Sequence, residues 1–498
     1  MLSLLAATMA GQPVPKSPAT ESWCASAARP PLVGMYGPDM SAPLLRVRPT
    51  GAPMVDGLFA QGLAQEWNFN DRESLRNFQT AADLAPDCAI CWWGVARALS
   101  SNINRQIMDF VAFNASVERA ERALKPTDSQ KVRDLVRTIG LLRTPVEHVV
   151  PGIMPMGPDA PLIWAGRMAY AEAVCALGEE DADLSALCAD ATMATSPWNY
   201  YENMRLSQGP GPLKSAFEPV LARLLRLTAP AAVPHALAQH LLIHLSEPRT
   251  GEYVHAMLGQ DAADGLVQRY PGAGHLQHMP AHLYLRTGAY EAGVEASRLA
   301  AVANNDYLDR CLCPYVPAHN LYMGIWHALL LGNSAAALEL AQVNMAQAAK
   351  YDVMPAGANC MRFDGFAGAS KRGGWRSLVL TRFGRWAELV KLGHPAPCEA
   401  AKGPACTNER YMQLFAHGMA AEATGDVAHA EAIFDELQAL AGFSADSGMD
   451  MLANPFDFTG TFPVPSLYLP CTFPVPSLCH PFDFTVLRYT SVLELAAR

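Results

Sequence analysis

The feature that most constrains this chain is a helical period that recurs in pairs. From Gly62 the sequence reads GLAQEWNFNDRESLRNFQTAADLAP, in which Gly62, Phe78, Ala81 and Pro86 occupy the small, aromatic, small and proline positions of a helix-turn-helix unit of about 34 residues. One unit further on, Trp92 falls at the opening aromatic position and Ala96 at the small one. The same turn returns at Gly288 and Tyr290, at Gly332, at Gly384 and Trp386, and at Gly425 with Ala430 and Phe434. Small residues at these places let the two helices of a hairpin approach closely, and the aromatics fill the groove between neighbouring pairs. The step from Gly288 to Gly332 is 44 residues, so the array carries insertions. The pattern predicts an all-α fold: tetratricopeptide-like helical hairpins stacked into a curved α-solenoid with insertions.

Three segments follow from this reading. Residues 1–50, rich in Pro, Ala and Gly, are expected to form a leader or wrapping arm; residues 51–445 form the helical-repeat domain, with a His-rich centre at 235–330; residues 446–498 form a Pro-rich tail. In that tail TFPVPSL occurs twice, at Thr461–Leu467 and Thr472–Leu478, and proline at such density cannot continue a helix. A duplicated extended segment and a gene-model error both account for it.

Nine of the fourteen histidines lie between His235 and His327, where an even spread would put about 3. HLLIHLSE carries His240, His244 and Glu247, which share one helix face because i, i+4 and i+7 align. GHLQHMPAHLY carries His275, His278 and His282, and PAHN carries His319. A lone histidine on an apolar helix face is usually a core residue bonded to a carbonyl; six of them with one carboxylate point to a transition-metal site. Pro280 suits the first turn of a helix, so a helix is expected to start near Met279, with His278 at its entrance, His282 one turn in and His275 reaching the site from the incoming loop.

The ligand set disfavours calcium and magnesium, which take oxygen cages. Zinc with a bound water would support hydrolysis, whereas copper or iron would support oxidation; six imidazoles exceed what one tetrahedral zinc needs, which leans toward two metals or a redox site. Glu247 has two candidate roles, metal ligand or general base on metal-bound water. Trp198, Tyr201 and Glu202, in SPWNYYENM, and Tyr284 are candidates for lining a substrate pocket, although such aromatics are more often core.

The net charge of -10 and the absence of any Lys/Arg run longer than a pair argue against nucleic acid and anionic membranes as partners. No apolar stretch approaches the ~20 residues of a membrane helix. A small-molecule or peptide ligand is expected in the concave groove, and a protein partner stays open because peptide binding is the commonest use of such repeats. MLSLLAATMA has the apolar character of a signal peptide without a basic leader, so a cytoplasmic location is expected and secretion stays open. Among the twelve cysteines, Cys88 and Cys91 form a CxxC read as buried thiols, Cys311 and Cys313 are too close in sequence to pair comfortably, and Cys398 and Cys406 bracket a loop that a disulfide could close.

The stretches CAICWWGVARAL, SPWNYYENM, HLLIHLSE, GHLQHMPAHLYLRTGAY, YVPAHNLYMGIWHALLLGN and RFGRWAELVKLGHP, spread over about residues 55 to 440, resemble a family of large tetratricopeptide-repeat proteins, bacterial and eukaryotic, related to tetratricopeptide repeat protein 38. The resemblance implies an α-helical repeat fold, with His at the places of His240, His244, His275, His278, His282 and His319 and Glu at that of Glu247, and no firm activity. Set against it, a metal-dependent oxidative or hydrolytic enzyme and a protein-interaction scaffold with structural histidines remain the two function classes.

Overall fold

The computed structural model describes residues 47 and 49–446 apart from 108, 147–154, 203–211, 231, 248–256, 268, 353–373 and 398–402. Residues 1–46 and 48 of the arm expected over 1–50, the proline-rich duplication and Cys398 lie outside the described residues. Every regular element described is helical, and only two isolated bridges, Asn102 with Arg105 and Tyr201 with Leu213, pair extended backbone. In chain order the α-helices are α1 Pro53–Trp67, α2 Asp71–Leu84, α3 Ala89–Leu99, α4 Phe110–Ala123, α5 Gln130–Ile139, α6 Ala160–Cys175, α7 Ala182–Met193, α8 Glu218–Leu227, α9 Ala236–Ser246 and α10 Gln260–Leu266. They continue as α11 Gly274–His278, α12 Pro280–Thr287, α13 Tyr290–Asp309, α14 Pro317–Leu330, α15 Ser334–Asp352, α16 Gly374–Arg382, α17 Trp386–Val390, α18 Gly403–Ala423 and α19 Val427–Asp446.

Neighbours in sequence are mostly neighbours in space: α1 packs on α2, α2 on α3, α3 on α4, α13 on α14, α14 on α15 and α18 on α19. The helix starts have local causes. Asp109, Ser129 and Asp181 cap α4, α5 and α7 by accepting backbone N–H bonds with their side chains, which satisfies donors that the first turn leaves free. Gly288, Gly332, Gly384 and Gly425 all sit at hairpin turns with φ of +79°, +75°, +62° and +82°, the left-handed conformation that ends a helix most cheaply at glycine.

The small-aromatic-small pattern has a steric origin. Phe78 is fully buried in α2 and lies close against both Gly62 of α1 and Gly94 of α3; a Cβ at Gly62 would lie 2.6 Å from Phe78 Cε1. Trp92 anchors the next step by donating its indole N–H to the Pro86 carbonyl at 2.9 Å. Some cysteine expectations change. Cys88 and Cys91 are joined in a disulfide, with Cα atoms 5.3 Å apart, as are Cys175 and Cys188, and Cys311 and Cys313 are each disulfide-bonded. A helical first turn brings positions i and i+3 side by side, which is why a CxxC at the start of α3 closes readily.

One departure from a simple stack positions the site. The turn between α1 and α2, Trp67 to Asp71, is buried among helices that come some 170 to 240 residues later. Gln65 Nε2 donates to Tyr307 Oη at 2.8 Å, Asn70 Nδ2 donates to the Cys313 carbonyl at 2.8 Å, and Glu73 Oε1 accepts from the Cys313 N–H at 3.0 Å. Asn68 Oδ1 accepts the Leu276 N–H at 3.0 Å and so caps α11 from outside. That cap explains why the helix begins at Gly274 and holds His275, which the sequence placed in a loop; Pro280 then opens α12 after a helical Met279.

Because a Cβ at Gly62 would strike the buried Phe78 ring, Gly62→Ala is expected to lower unfolding stability by about 1–3 kcal/mol, as overpacking does. Chemical denaturation of the two proteins measures it, and an unchanged midpoint contradicts the packing described.

Candidate metal centre

Four helices deliver the six imidazoles. α9 carries His240 and His244, α11 carries His275 and His278, α12 carries His282 and α14 carries His319. α9 packs on α12 and on α1, while α11 and α12 both pack on α14, so the four faces turn inward together. Glu247 follows α9 with helical φ and ψ of -64° and -34°, which keeps it on the face of His240 and His244. His240 and His278 are fully buried, and none of the six is exposed.

The rings fall into two groups. In each of His240/His244/His275 and His278/His282/His319, one ring nitrogen per residue lies within 4.8 Å of the other two. The groups adjoin: ring centroids of His275 and His278 are 5.6 Å apart, and those of His244 and His282 6.0 Å. His235 and His327 stand outside both groups and are structural: His235 caps α9, and His327 Nε2 donates to the Ala281 carbonyl at 2.8 Å.

Hydrogen bonds behind the rings decide where their lone pairs point. His240 Nδ1 donates to the Trp67 carbonyl at 2.9 Å, and His244 Nδ1 donates to Glu247 Oε1 at 2.7 Å. His275 Nδ1 donates to Asn320 Oδ1 at 3.4 Å, the amide being oriented by its own bond to the Tyr315 carbonyl. His282 Nδ1 donates to Glu247 Oε2 at 2.5 Å. His319 Nδ1 meets the Tyr322 hydroxyl at 2.5 Å. An imidazole that donates from Nδ1 and is neutral has only a lone pair at Nε2. Yet His240 Nε2 faces His244 Nε2 at 3.0 Å; in the second group His282 Nε2 lies 2.9 Å from His278 Nε2 and 3.2 Å from His319 Nε2, and there His278, whose Nδ1 has no partner, is able to donate from Nε2. The buried His275 Nε2 has no hydrogen-bond partner.

Protonation does not resolve the confrontation of His240 and His244. Burial pushes His240, His275, His278 and His319 well below the ordinary imidazole value of 6.5, and the neighbouring imidazoles push them further. His244 is lowered too, by burial, against the opposing pull of Glu247. Burial alone would raise Glu247, but His282 and His244 against its two oxygens hold it well below the usual carboxylate range, so it is ionised. Buried rings with converging nitrogens, five of the six held from behind through Nδ1 while His278 Nδ1 has no hydrogen-bond partner, are an arrangement suited to a transition metal.

Glu247 occupies a position the sequence did not distinguish. Both its oxygens accept imidazole N–H bonds, one from each group, so it stands behind the rings and links the two groups. Of the proposed pocket residues, Trp198 packs edge-on against His244 at 4.9 Å, and the Tyr201 hydroxyl donates to the Leu245 carbonyl on α9. The other two are directed elsewhere: Tyr284 donates to Asp264 at 2.6 Å, and Glu202 is exposed. Three residues that sequence reading missed belong to the site. Phe69 lies 4.2 Å from the His240 ring and also faces His244 and His275, Tyr315 packs edge-on against His275 at 4.9 Å, and Tyr322 holds His319. A signal for the first was present: the α1–α2 turn reads Asn68-Phe69-Asn70 where later hairpins have glycine.

Among the described residues the non-glycine positions with positive φ are Phe69, Trp198, Cys311 and Val316, at 56°, 62°, 56° and 38°. Phe69 and Trp198 touch the imidazoles, and Val316 precedes the helix that carries His319. Strain of this kind costs of order 1–3 kcal/mol per residue and is concentrated here around one centre.

No family model matches the chain, and no curated protein matches it. No described helix is long and apolar enough to cross a membrane.

The lowered imidazoles set a pH dependence for the metal-free protein. Unfolding returns each ring to an ordinary value near 6.5, so below that pH the unfolded chain binds more protons than the folded one and stability falls with falling pH. For His327, held at about 4 by burial, the loss runs from about 6.5 down to about 4. Urea midpoints of chelator-treated protein are expected to be clearly lower at pH 5.5 than at pH 7.5; a higher midpoint at the acid pH contradicts the buried neutral rings.

Proposed function

We propose that the six histidines hold two transition-metal ions, three imidazoles to each, and that the chain is a metal-dependent enzyme of the oxidative kind. The observation that carries this is the pair of facing Nε2 atoms of His240 and His244 at 3.0 Å, both rings donating from Nδ1 to a carbonyl or carboxylate oxygen. Facing lone pairs repel, and a cation among the three rings of the group turns that repulsion into coordination.

The donor set bears on the metal. Every proposed ligand is an imidazole, and the carboxylate that touches the rings is Glu247, behind them. Two divalent ions would leave far more uncompensated buried charge than two monovalent ones, which favours copper, with its stable cuprous state and its affinity for imidazole, over a pair of zinc ions. A pair of such ions supplies electrons to dioxygen, the chemistry that oxidases and oxygenases use. The protein's own contribution is to orient and to exclude water. Trp67, Glu247 and Asn320 fix the ring tautomers, Tyr322 holds His319, and Phe69, Trp198 and Tyr315 wall the rings with apolar surface. With both oxygens engaged, Glu247 acts as an orienting bridge in this reading, and the general-base role set out from the sequence is not needed.

The scaffold belongs to the same proposal. A tetratricopeptide-type array is supported by the paired helices, the glycine turns and the Gly62–Phe78–Gly94 packing, together with the resemblance to the tetratricopeptide repeat protein 38 group. The α1–α2 turn packs against α9 and α11, which carry four of the rings, so the ligand that enters is expected to be small.

Protein purified without chelator is expected to carry about two equivalents of copper or iron by elemental analysis, and His278→Ala with His282→Ala to lose about half or more of it while remaining folded by circular dichroism. Zinc alone, with a silent visible spectrum, would overturn the oxidative reading; no metal would overturn the centre. Glu247→Gln, whose amide can accept only at one oxygen, is expected to weaken metal retention about 10–100-fold in competition with a chelator, and unchanged retention would remove Glu247 from its bridging role.

A further inference from the structure

Arg286 stands beside the rings with its charge unclaimed. It follows His282 by four residues in α12, so the two share a helix face, and since helical side chains lean toward the N-terminus, an arginine there reaches back over the turn that carries His282. Its side chain makes no hydrogen bond, ion pair or ring contact with any described residue. The nearby acid, Glu247, has both oxygens taken, by His244 Nδ1 at 2.7 Å and by His282 Nδ1 at 2.5 Å. Burial lowers Arg286 from the ordinary guanidinium value, and the charge of Glu247 opposes that shift. A guanidinium drawn partly out of water with its donors unfilled costs stability, a cost that a bound anion removes. The two ring groups also differ in access. His240, His244 and His275 are 0%, 2% and 2% exposed, whereas the side chains of His282 and Glu247 are each 11% exposed and His319 is only partly buried. Solvent therefore reaches the second group at His282, one turn from Arg286, which is itself half-buried.

We infer that Arg286 binds the carboxylate of the substrate, which makes the ligand of the second ring group a small organic acid rather than a neutral molecule. What happens to that acid rests on the two-metal reading; the anion hook itself belongs to the chain with or without ions. The planar fork of a guanidinium matches the two oxygens of a carboxylate with parallel hydrogen bonds. Charge leads to the same ligand. Two metal ions and Arg286 stand against Glu247, the carboxylate that touches the rings, so the loaded centre is positive and an anionic substrate offsets the excess. One helical turn, about 5.4 Å, separates the Arg286 and His282 positions along α12, a span that the carbon skeleton of a small acid covers. Anchored by its carboxylate, such a molecule has its far end at the ion held by His278, His282 and His319, while the first group stays closed.

The test is calorimetric titration of the full chain with benzoate, and with benzamide as its uncharged counterpart, on protein as purified and again after chelator treatment. Wild type is expected to bind benzoate more tightly than benzamide, and Arg286→Gln to weaken benzoate by about tenfold or more while metal content and circular dichroism stay the same. Arg286→Lys, which keeps the charge and loses the fork, is expected to fall between the two. Benzoate binding that depends on Arg286 in protein holding no metal would uphold the hook and overturn the two-metal centre, so the two failures are told apart. Equal benzoate affinity in wild type and Arg286→Gln, equal affinity of wild type for benzoate and benzamide, or no binding of benzoate to wild type overturns the assignment of Arg286.

Discussion

The structure turns on two nitrogens that should not face each other. His240 Nε2 and His244 Nε2 stand 3.0 Å apart in a buried interior, each ring committed to donate from its other nitrogen. Nothing in the helix α9 alone requires this. It follows from the carbonyl of Trp67 on one side and Glu247 on the other, and the Trp67 carbonyl is there because the α1–α2 turn is buried against helices much later in the chain. The long-range contacts at Gln65, Asn68, Asn70 and Glu73 thus do two things at once: they close the helical array, and they set the tautomer of a ring in its centre.

The linked groups behave as one object. Glu247 gives one oxygen to His244 and the other to His282, so a change in either group is transmitted to the other through a single carboxylate. Phe69 lies against three rings of the first group, and Trp198 and Tyr315 cover His244 and His275. The positive φ angles of Phe69 and Trp198 are the conformational cost of that enclosure. Natural chains keep such strain where a site needs it, and here the same two residues supply both the strain and the apolar wall.

Much of this was legible in the sequence. Helical period, glycine turns and the small-aromatic-small spacing specify local hairpins, because they are properties of neighbours along the chain; Gly62, Phe78, Gly288 and Gly425 do in the structure what their spacing suggests. The shared face of His240, His244 and Glu247 was readable for the same reason. What was not readable depends on distant partners. The early start of α11 comes from Asn68, some two hundred residues away, and so His275 sits on a helix. Glu247 looked like a ligand or a base because the sequence shows its carboxylate without showing that two imidazoles consume it. The α1–α2 turn looked like any connection, although an Asn-Phe-Asn turn among glycine turns marked it as different.

The most direct test of the central claim is anomalous diffraction from crystals of the protein purified without chelator, with data on both sides of the copper, iron and zinc absorption edges. The account predicts two peaks of a redox metal, one among the Nε2 atoms of His240, His244 and His275 and one among those of His278, His282 and His319. Crystals with no peak at either place, and the same rings paired by protons or water, would contradict it.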